Sequence, residues 1–170
     1  MNETKSEAPI CFTPIGTIHT PFKEPRGVPI QPVAAEGIRG RIEIRPEYGA
    51  GLQDLDGFSH IILLYHLHLS EGYELTVVPF LDETPRGLFA TRAPRRPNAI
   101  GFSVVRLESI EGATLRILDV DIVDGTPLLD IKPHVPTFSR AGERQIGWLE
   151  GRDQDAAGRR ADARFLDRGE

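Results

Sequence analysis

Three arginines lie close together in a proline-containing stretch, at Arg92, Arg95 and Arg96. We call residues 91–98 the arginine loop. Its two prolines restrict the backbone and remove amide donors, which predicts an ordered loop and neither a helix nor a central strand. Guanidinium groups held on a rigid loop suit an anionic ligand group, either a carboxylate or a phosphate. The alternative is a solvated turn with arginines at its rim, which composition alone favours because surface arginine is common.

Three histidines lie in the most apolar stretch of the chain, residues 58–69, which is predicted to be a central strand covered on both faces. His60, His66 and His68 have the same parity and so share one face of that strand. A His-x-His pair on a strand can ligate a metal ion, and the alternative is packed or hydrogen-bonded histidines at the edge of a cleft. Because the nearest carboxylates lie outside the strand and no cysteine is close, no metal site is predicted.

Four aspartates lie around a turn further along the chain, at Asp119, Asp121, Asp124 and Asp130. Residues 114–123 are predicted to form a strand that places the first two carboxylates on one face. Acidic side chains at the end of a strand can bind ribose hydroxyls or amino groups. For Asp124, which precedes a glycine, the alternative is the ordinary chemistry of a tight turn.

The remaining pattern predicts short strands separated by turns. A buried strand is predicted to end at residues 88–90, and residues 46–54 are predicted to form one or two helical turns. The proline-rich residues 21–32 are predicted to be an irregular loop, either a binding loop or a surface connection. Such spacing predicts a mainly β fold, a small antiparallel β-barrel with short peripheral helices and a helical C-terminal tail. Further strands are predicted at residues 15–20, 38–45, 75–78 and 102–109.

Composition describes a soluble globular protein of the cytoplasm. The chain has 170 residues, 39% of them hydrophobic, and one cysteine, Cys11, which excludes an internal disulfide and fits a reducing compartment. No apolar run is long enough to span a membrane, and the first residues do not resemble a signal peptide. The net charge of −5 argues mildly against a protein that coats nucleic acid, although the arginine loop is a local basic patch.

The predicted order is a flexible lead at residues 1–9, a barrel domain at residues 10–136 and a helical extension at residues 137–170. Helices are predicted within the extension at residues 139–149 and 155–166, which are rich in Ala, Arg, Glu and Gln. The charged end of this extension is expected to be peripheral. Neither a Gly-x-Gly-x-x-Gly nor a Gly-x-Ser-x-Gly motif is present, so neither a dinucleotide fold nor serine chemistry is predicted.

Four blocks in order along the chain resemble the TrmO family, whose members are S-adenosylmethionine-dependent tRNA methyltransferases built on a β-barrel. ATRAPRRPNAIGFS at residues 90–103 and DVDIVDGTPLLDIKPHVP at residues 119–136 resemble its two signature blocks. PIGTIHTPFKEPRGVPIQP at residues 14–32 and LDGFSHIILLYHLH at residues 55–68 are similar to its two earlier blocks. In this sequence alanine stands at positions 93 and 99, where the family pattern has serine and proline.

The resemblance implies the positions that bind the methyl donor and the RNA. Residues implied to contact S-adenosylmethionine are Gln31, Pro32, Tyr65, His66, Arg92, Ile122, Val123, Asp124 and Gly125. Arg92 is expected to hold the donor carboxylate, and Arg86, Arg95 and Arg96 are expected to contact RNA phosphates. Asp124 is the candidate acceptor or orienting group for the reacting amine. The resemblance also implies a homodimer, and direct methyl transfer requires no metal ion.

The implied reaction is methylation of N6 on the threonylcarbamoyladenosine beside the anticodon of a tRNA. An anticodon-loop base already lies outside a duplex, so presenting it to the enzyme costs little. Two alternatives stay open. One is a non-catalytic barrel that binds S-adenosylmethionine or a nucleotide as a sensor, and the other is a methyltransferase that acts on a small molecule.

Overall fold

The computed structural model describes residues 8–30, 32–136, 147–151, 155, 158–162 and 165. The strands in the described part of the chain are β1 Gly16–His19, β2 Arg39–Ile44, β3 His60–His66, β4 Thr76–Val77, β5 Arg86–Gly87, β6 Ile100–Glu111, β7 Thr114–Leu118 and β8 Thr126–Pro133. Short 3-10 helices lie at Pro32–Ala35, Pro46–Leu52, Leu55–Gly57, Leu88–Ala90 and Gly147–Leu149.

Six of the strands close into one antiparallel barrel in the order β1, β2, β7, β6, β3, β8. The hairpin between β6 and β7 turns at Gly112, whose φ of 61° costs glycine little. Closure pairs both edges of every barrel strand. The prediction of a mainly β fold with a small antiparallel barrel is confirmed, and all six strands fall within residues 10–136.

Aliphatic side chains from alternate positions of the strands fill the barrel. In β2, Ile42 and Ile44 are buried while Arg41 and Glu43 are exposed, as the alternation there predicts. Removing each such side chain from water stabilises the fold by about 1.5–3 kcal/mol. The buried members of the core are Ile18, Ile42, Ile44, Ile61, Leu63, Tyr65, Val105, Leu115, Ile117, Val120, Ile122 and Leu128.

Strand β3 is shorter than the predicted strand at residues 58–69 and is covered on one face only. Ile61 and Leu63 are fully buried, whereas the two aliphatic side chains at the alternate positions are half-buried. The prediction of two covered faces is therefore wrong, because a closed sheet turns one face of each strand to the core. The strand ends at His66, so His68 lies beyond it and the three histidines do not share one strand face.

The segment Leu88–Ala90 is a 3-10 helix and not the end of a buried strand, which corrects the prediction. Leu88 is buried in a small cluster with Val77 and Ala93, whereas Phe89 is 76% exposed. One buried residue in three is typical of a helical turn that touches the interior at a single point. The cluster lies beside the two-stranded ribbon of β4 and β5, which is separate from the barrel.

Strand β7 ends at Leu118, five residues before the predicted end of its strand at residue 123. Asp119 turns the chain with a φ of 67°, and its carboxylate accepts a hydrogen bond of 2.7 Å from the amide of Gly37. Arg106 forms an ion pair with the same carboxylate at 3.3 Å. Asp119 and Asp121 therefore do not share a strand face, because the turn at the first carboxylate ends the alternation.

Two further predictions agree with the structure where it describes them. Residues 21–30 contain no regular strand or helix, and Pro46–Leu52 forms the predicted helical turns. The flexible lead predicted at residues 1–9 and the helices predicted at residues 139–149 and 155–166 lie mostly outside the described residues. No helix in the described part of the chain is long and apolar enough to cross a lipid bilayer.

Candidate functional site

A row of three hydrogen-bonded side chains crosses the barrel from β3 to the segment after β7. The Tyr65 hydroxyl lies 3.0 Å from Ser103 Oγ, and Ser103 Oγ donates to Asp121 Oδ1 at 2.7 Å. Tyr65 and Ser103 are buried, at 7% and 1% exposure. Gly101 pairs with Tyr65 across the two strands, and the phenol ring lies over its α-carbon, where any side chain would overlap it. The glycine therefore allows the ring to reach Ser103.

Burial is the main influence on the two acidic groups of this row. It raises the pKa of the Asp121 carboxyl to about 6, although the hydrogen bond from Ser103 and the charge of Arg92 both favour the ionised form. Burial likewise raises the pKa of the Tyr65 phenol, and the nearby Asp121 charge adds to that effect. Tyr65 is therefore a neutral hydrogen-bonding group, whereas Asp121 changes charge close to neutral pH.

Replacing Asp121 with asparagine is expected to stabilise the protein at pH 8 and to have little effect near pH 3.5. A pKa raised by folding means that the folded state binds the proton more tightly. The protonated Asp121 carboxyl thus stabilises the folded state below its ordinary pKa of 3.8, and this stabilisation is lost as the pH rises through about 6. The asparagine variant escapes that loss, which is worth about 3 kcal/mol.

Denaturant unfolding of the wild type and of Asp121→Asn across this pH range tests the expectation. Asparagine keeps the shape and can accept the hydrogen bond from Ser103, so packing is matched. A difference in unfolding free energy that stays constant from pH 3.5 to pH 8 would contradict the raised pKa.

A cavity of about 180 Å³ opens beside this row. Four residues that the sequence assigned to the methyl donor line it: Tyr65, Arg92, Ile122 and Val123. They come from β3, from the arginine loop and from the segment between β7 and β8, which are far apart in the chain. Its other lining residues are Pro25, Val28, Pro29, Ile30, Leu67, His68, Leu69, Ser70, Phe80, Pro94, Asp121, Thr126, Ala161, Asp162 and Phe165.

The cavity wall is mostly apolar with a few polar groups. Among the described residues, Ser70 Oγ is buried without a hydrogen-bond partner, which leaves it able to bind a polar ligand atom. His68 Nδ1 lies 3.3 Å from Thr126 Oγ1, and burial, with the neighbouring His66, lowers the pKa of its imidazole. Apolar walls with few polar groups are typical of small-molecule sites.

Five predicted donor residues are not placed in this wall. Gln31 lies outside the described residues, and Pro32 begins the 3-10 helix Pro32–Ala35. His66 is exposed at the end of β3, and the cavity lining includes neither it nor Asp124 and Gly125. His68 lines the cavity instead of His66 because the chain leaves the strand between them.

Asp124 is held by a set of partners next to the cavity. Its carboxylate accepts hydrogen bonds from Lys23 Nζ at 2.6 Å and from the Thr20 amide at 2.9 Å, and His19 Nδ1 lies 3.4 Å away. The bond from Lys23 is the main cause that lowers the pKa of Asp124 to about 2. These contacts tie the turn after the cavity wall to the start of the proline-rich loop.

The three arginines assigned to RNA have contacts within the protein. Arg86 forms an ion pair with Asp82 at 2.6 Å and lies over the ring of Trp148. Arg95 donates to the carbonyl of Glu71 at 3.1 Å.

Arg96 forms hydrogen bonds within the arginine loop. Its Nη1 donates to the carbonyls of Thr91 and Ala93, at 3.1 and 3.2 Å. Arg86, Arg95 and Arg96 all keep some exposure and none of them lines the cavity. The arginine loop is therefore ordered, as predicted, and Arg92 is the member that faces the cavity.

The described part of the C-terminal tail lies against the cavity and is not peripheral, which corrects that expectation. The Ala161 amide donates to the Val28 carbonyl at 2.8 Å, and the Gly27 amide donates to Ala161 at 2.7 Å. Arg160 donates to the carbonyl of Ala34 at 2.7 Å. The Phe165 ring, an apolar residue within a charged tail, packs against the ring of Phe80 with 5.0 Å between ring centroids. This lone aromatic residue was the available signal in the sequence for a packed tail.

A larger cavity of about 600 Å³ lies elsewhere, beside the turn Pro46–Leu52. It contains none of the predicted site residues and no side chain from the hydrogen-bonded row. In the part of the chain that is described, no three His, Cys, Asp or Glu side chains come together in a way that could hold a metal ion. The smaller cavity is therefore the candidate site.

These features define a closed β-barrel that carries a small-ligand cavity built from its connecting loops. A family model described as the tRNA-methyltransferase O N-terminal domain matches residues 17–140. The chain belongs to this family, and the resemblance to TrmO drawn from the four sequence blocks is confirmed. Membership supports the coarser prediction of an S-adenosylmethionine-dependent methyltransferase.

Individual relatives agree with this assignment. A Pyrococcus abyssi protein named a probable S-adenosyl-L-methionine-binding protein is 55% identical over 157 residues, 92% of this chain and 85% of its own length. A Mus musculus tRNA (adenine(37)-N6)-methyltransferase is 37% identical, and the match covers 74% of this chain but 31% of the mouse protein. A crystal structure of TrmO from Pseudomonas aeruginosa superposes with a TM-score of 0.71 and 36% identity, covering 86% of this chain and 64% of that one.

Proposed function

We propose that this protein transfers a methyl group from S-adenosylmethionine to N6 of the threonylcarbamoyladenosine beside a tRNA anticodon. The observation that carries the proposal is the cavity itself. It brings Tyr65 from one of the earlier blocks together with Arg92, Ile122 and Val123 from the two signature blocks, beside the buried and unpartnered Ser70 Oγ. The names of the mouse and archaeal relatives support both halves of the reaction, the donor and the tRNA. The reaction would take place in the cytoplasm.

In this proposal the barrel binds the donor and leaves the transferred methyl group open to the RNA. Arg92 holds the donor carboxylate, because a guanidinium group beside the positive sulfonium would be repelled. Ile122 and Val123 cover apolar parts of the donor, and Asp124 holds their turn in place through Lys23. Direct transfer between two aligned partners depends on proximity and orientation.

The resemblance to the family implies a homodimer, and a small cavity in one chain is compatible with that assembly. Sites for ligands of this size occupy about 300–1,000 Å³, and the cavity of one chain measures about 180 Å³. We propose that a second copy of the chain encloses the part of the donor that one barrel leaves uncovered.

Incorporation of a tritiated methyl group tests the proposed function. The purified protein is incubated with labelled S-adenosylmethionine and either total tRNA or a metabolite extract, and the labelled nucleoside is identified by chromatography. Label on N6 of the threonylcarbamoyladenosine supports the proposal. Label only in small metabolites would replace it with small-molecule methylation, and donor binding without transfer to either would indicate a sensor.

S-adenosylmethionine is expected to bind without a divalent metal ion. The proposed contacts use side-chain and backbone groups, and methyl transfer from a sulfonium needs no Lewis acid. Calorimetry after treatment with a chelator checks this, with the untreated protein as the control. Binding that returns only when a divalent ion is restored would contradict the expectation.

Arg95 is expected to contribute to tRNA affinity and not to donor affinity. Its ion pair with the exposed Glu74, at 3.5 Å, is of the weak surface kind and can give way to a phosphate. In Arg95→Ala, the slope of log affinity for tRNA against log salt should fall by about one unit. Titration of tRNA at several salt concentrations measures the slope, and an unchanged slope would remove Arg95 from the RNA interface.

A further inference from the structure

We propose that Asp121 accepts the proton that the target N6 loses during methyl transfer, and that Ser103 and Tyr65 hold its carboxylate in position. The inference rests on the proposed function and adds a catalytic residue that the sequence comparison did not assign. It starts from the one carboxylate of the acidic set that both lines the donor cavity and belongs to the buried hydrogen-bonded row.

A hydrogen bond from Ser103 holds one oxygen of the Asp121 carboxylate in place. Ser103 Oγ donates to Asp121 Oδ1 at 2.7 Å, and Ser103 is itself only 1% exposed. With that proton committed to Asp121, Ser103 Oγ accepts from the Tyr65 hydroxyl, 3.0 Å away. The hydrogen bonds of the row are therefore all donated in one direction, from the phenol to the hydroxyl and from the hydroxyl to the carboxylate. They hold the carboxylate at the wall of the cavity.

Asp124 is less suited to accept a proton. Lys23 and the Thr20 amide already bind its two oxygens, and its carboxylate does not line the cavity. The same contacts lower its pKa to about 2, so the ionised form is a very weak base. Burial raises the pKa of Asp121 to about 6, which is close to the pH at which a general base works best in cells.

The step balances without a further reactant. The N6 electron pair forms the new bond to the methyl carbon as the bond from that carbon to the donor sulfur breaks. The pair in the sulfur–carbon bond stays on sulfur, which becomes a neutral thioether. The N6 proton passes to the Asp121 carboxylate, and the electron pair of the N–H bond remains on nitrogen. Asp121 returns the proton to water when the product leaves.

Several charged or titratable groups face the same space and set the pH response. Tyr65 lies on β3 and His68 beyond its end, Arg92 is in the arginine loop, and Asp162 comes from the tail. Arg92 favours ionised Asp121, whereas burial opposes it. His68 also titrates below its ordinary range, so a pH profile alone does not identify Asp121 and a variant is needed.

The test is single-turnover transfer from labelled S-adenosylmethionine to total tRNA, measured from pH 5 to pH 9 (an assay range, about the span over which such a base titrates). In the wild type the rate should rise through about pH 6. Asp121→Asn should lose about 100-fold in the rate at pH 8 and lose the rise. Its donor affinity, measured by calorimetry, should stay within about threefold, a difference of under ~1 kcal/mol.

Asp119→Asn is the matched control, because Asp119 lies two residues earlier and its carboxylate binds Gly37 and Arg106 outside the cavity. It should keep the wild-type rate and profile. Ser103→Ala tests the positioning role, because loss of its hydrogen bond should raise the pKa of Asp121 and move the rise in rate to higher pH.

Three results would overturn the inference. The first is a transfer rate in Asp121→Asn equal to that of the wild type. The second is a weakened donor affinity in Asp121→Asn with an unchanged transfer step. The third is a pH profile of the rate that is the same in Ser103→Ala as in the wild type. The second would make Asp121 a donor-binding group. Failure of the proposed function gives a different result, because the wild type itself would then label no tRNA.

Discussion

Arg92→Ala is expected to weaken binding of S-adenosylmethionine by about 1.5–3 kcal/mol, the usual range for a hydrogen bond to a charged group. That is about a 10- to 150-fold rise in the dissociation constant. Arg92 is the arginine of its loop that lines the cavity, and its guanidinium carbon lies 5.8 Å from the centre of the Phe102 ring.

The effect of Arg92→Ala on donor affinity is expected to depend on salt, because Arg92 is exposed to solvent. Arg92 is an exposed residue next to a 3-10 helix, so solvent ions reach its charge before the donor binds. The difference between the wild type and Arg92→Ala should therefore narrow as the salt concentration rises. Calorimetry with S-adenosylmethionine at low and high salt measures the difference at both limits.

Arg95→Ala is the matched control for this experiment, because it removes the same charge from the same loop at a position that does not line the cavity. It should bind the donor like the wild type. Arg92→Lys should recover part of the loss, since lysine keeps the charge but not the paired donors of a guanidinium group. Normal donor binding by Arg92→Ala would show that the carboxylate is held elsewhere.

Gly101→Ala is expected to destabilise the fold by about 3 kcal/mol, at the upper end of the range for overpacked interiors. A methyl group at this position overlaps the Tyr65 ring, which is 7% exposed and hydrogen-bonded to Ser103. The ring cannot stay where it is, so either the two strands move apart or the ring is displaced and its hydrogen bond to Ser103 breaks. Donor binding should weaken as well, because Tyr65 lines the cavity.

A double-mutant cycle separates this steric cause from any general effect of alanine. Tyr65→Leu removes the ring atoms that the new methyl group would meet, so Gly101→Ala should cost much less in that background. Denaturant unfolding of the four proteins gives the coupling free energy. An equal cost of Gly101→Ala in both backgrounds would rule out the ring as the cause.

Much of the barrel could be predicted because its strands show a local pattern. In β2 the alternation of Ile42 and Ile44 with charged neighbours indicates both the strand and its buried face. The apolar stretch of β3 led to the wrong prediction of two covered faces. Its even-numbered aliphatic side chains suggest a second buried layer, which a closed sheet does not need. Hydropathy alone does not distinguish a half-exposed apolar face from a covered one.

The site was less predictable, since it depends on contacts between distant parts of the chain. Arg92 was found from its neighbours in sequence, whereas the pairing of Ser103 with Asp121 depends on how β6 meets the segment after β7. Nothing in the spacing of the aspartates shows that Lys23 binds Asp124 and leaves Asp121 beside the cavity. Those distances exist only once the barrel has closed.

The tail beside the candidate cavity extends the part of the chain that the site needs. The family match stops at residue 140, yet Ala161 is hydrogen-bonded to the proline-rich loop and Phe165 lines the cavity. A chain that ended at residue 140 would keep every barrel strand and still lack one wall of the candidate cavity. The family model marks what its members have in common, and the part of this chain that forms the cavity is longer than that, as is the 157-residue match to the Pyrococcus abyssi protein.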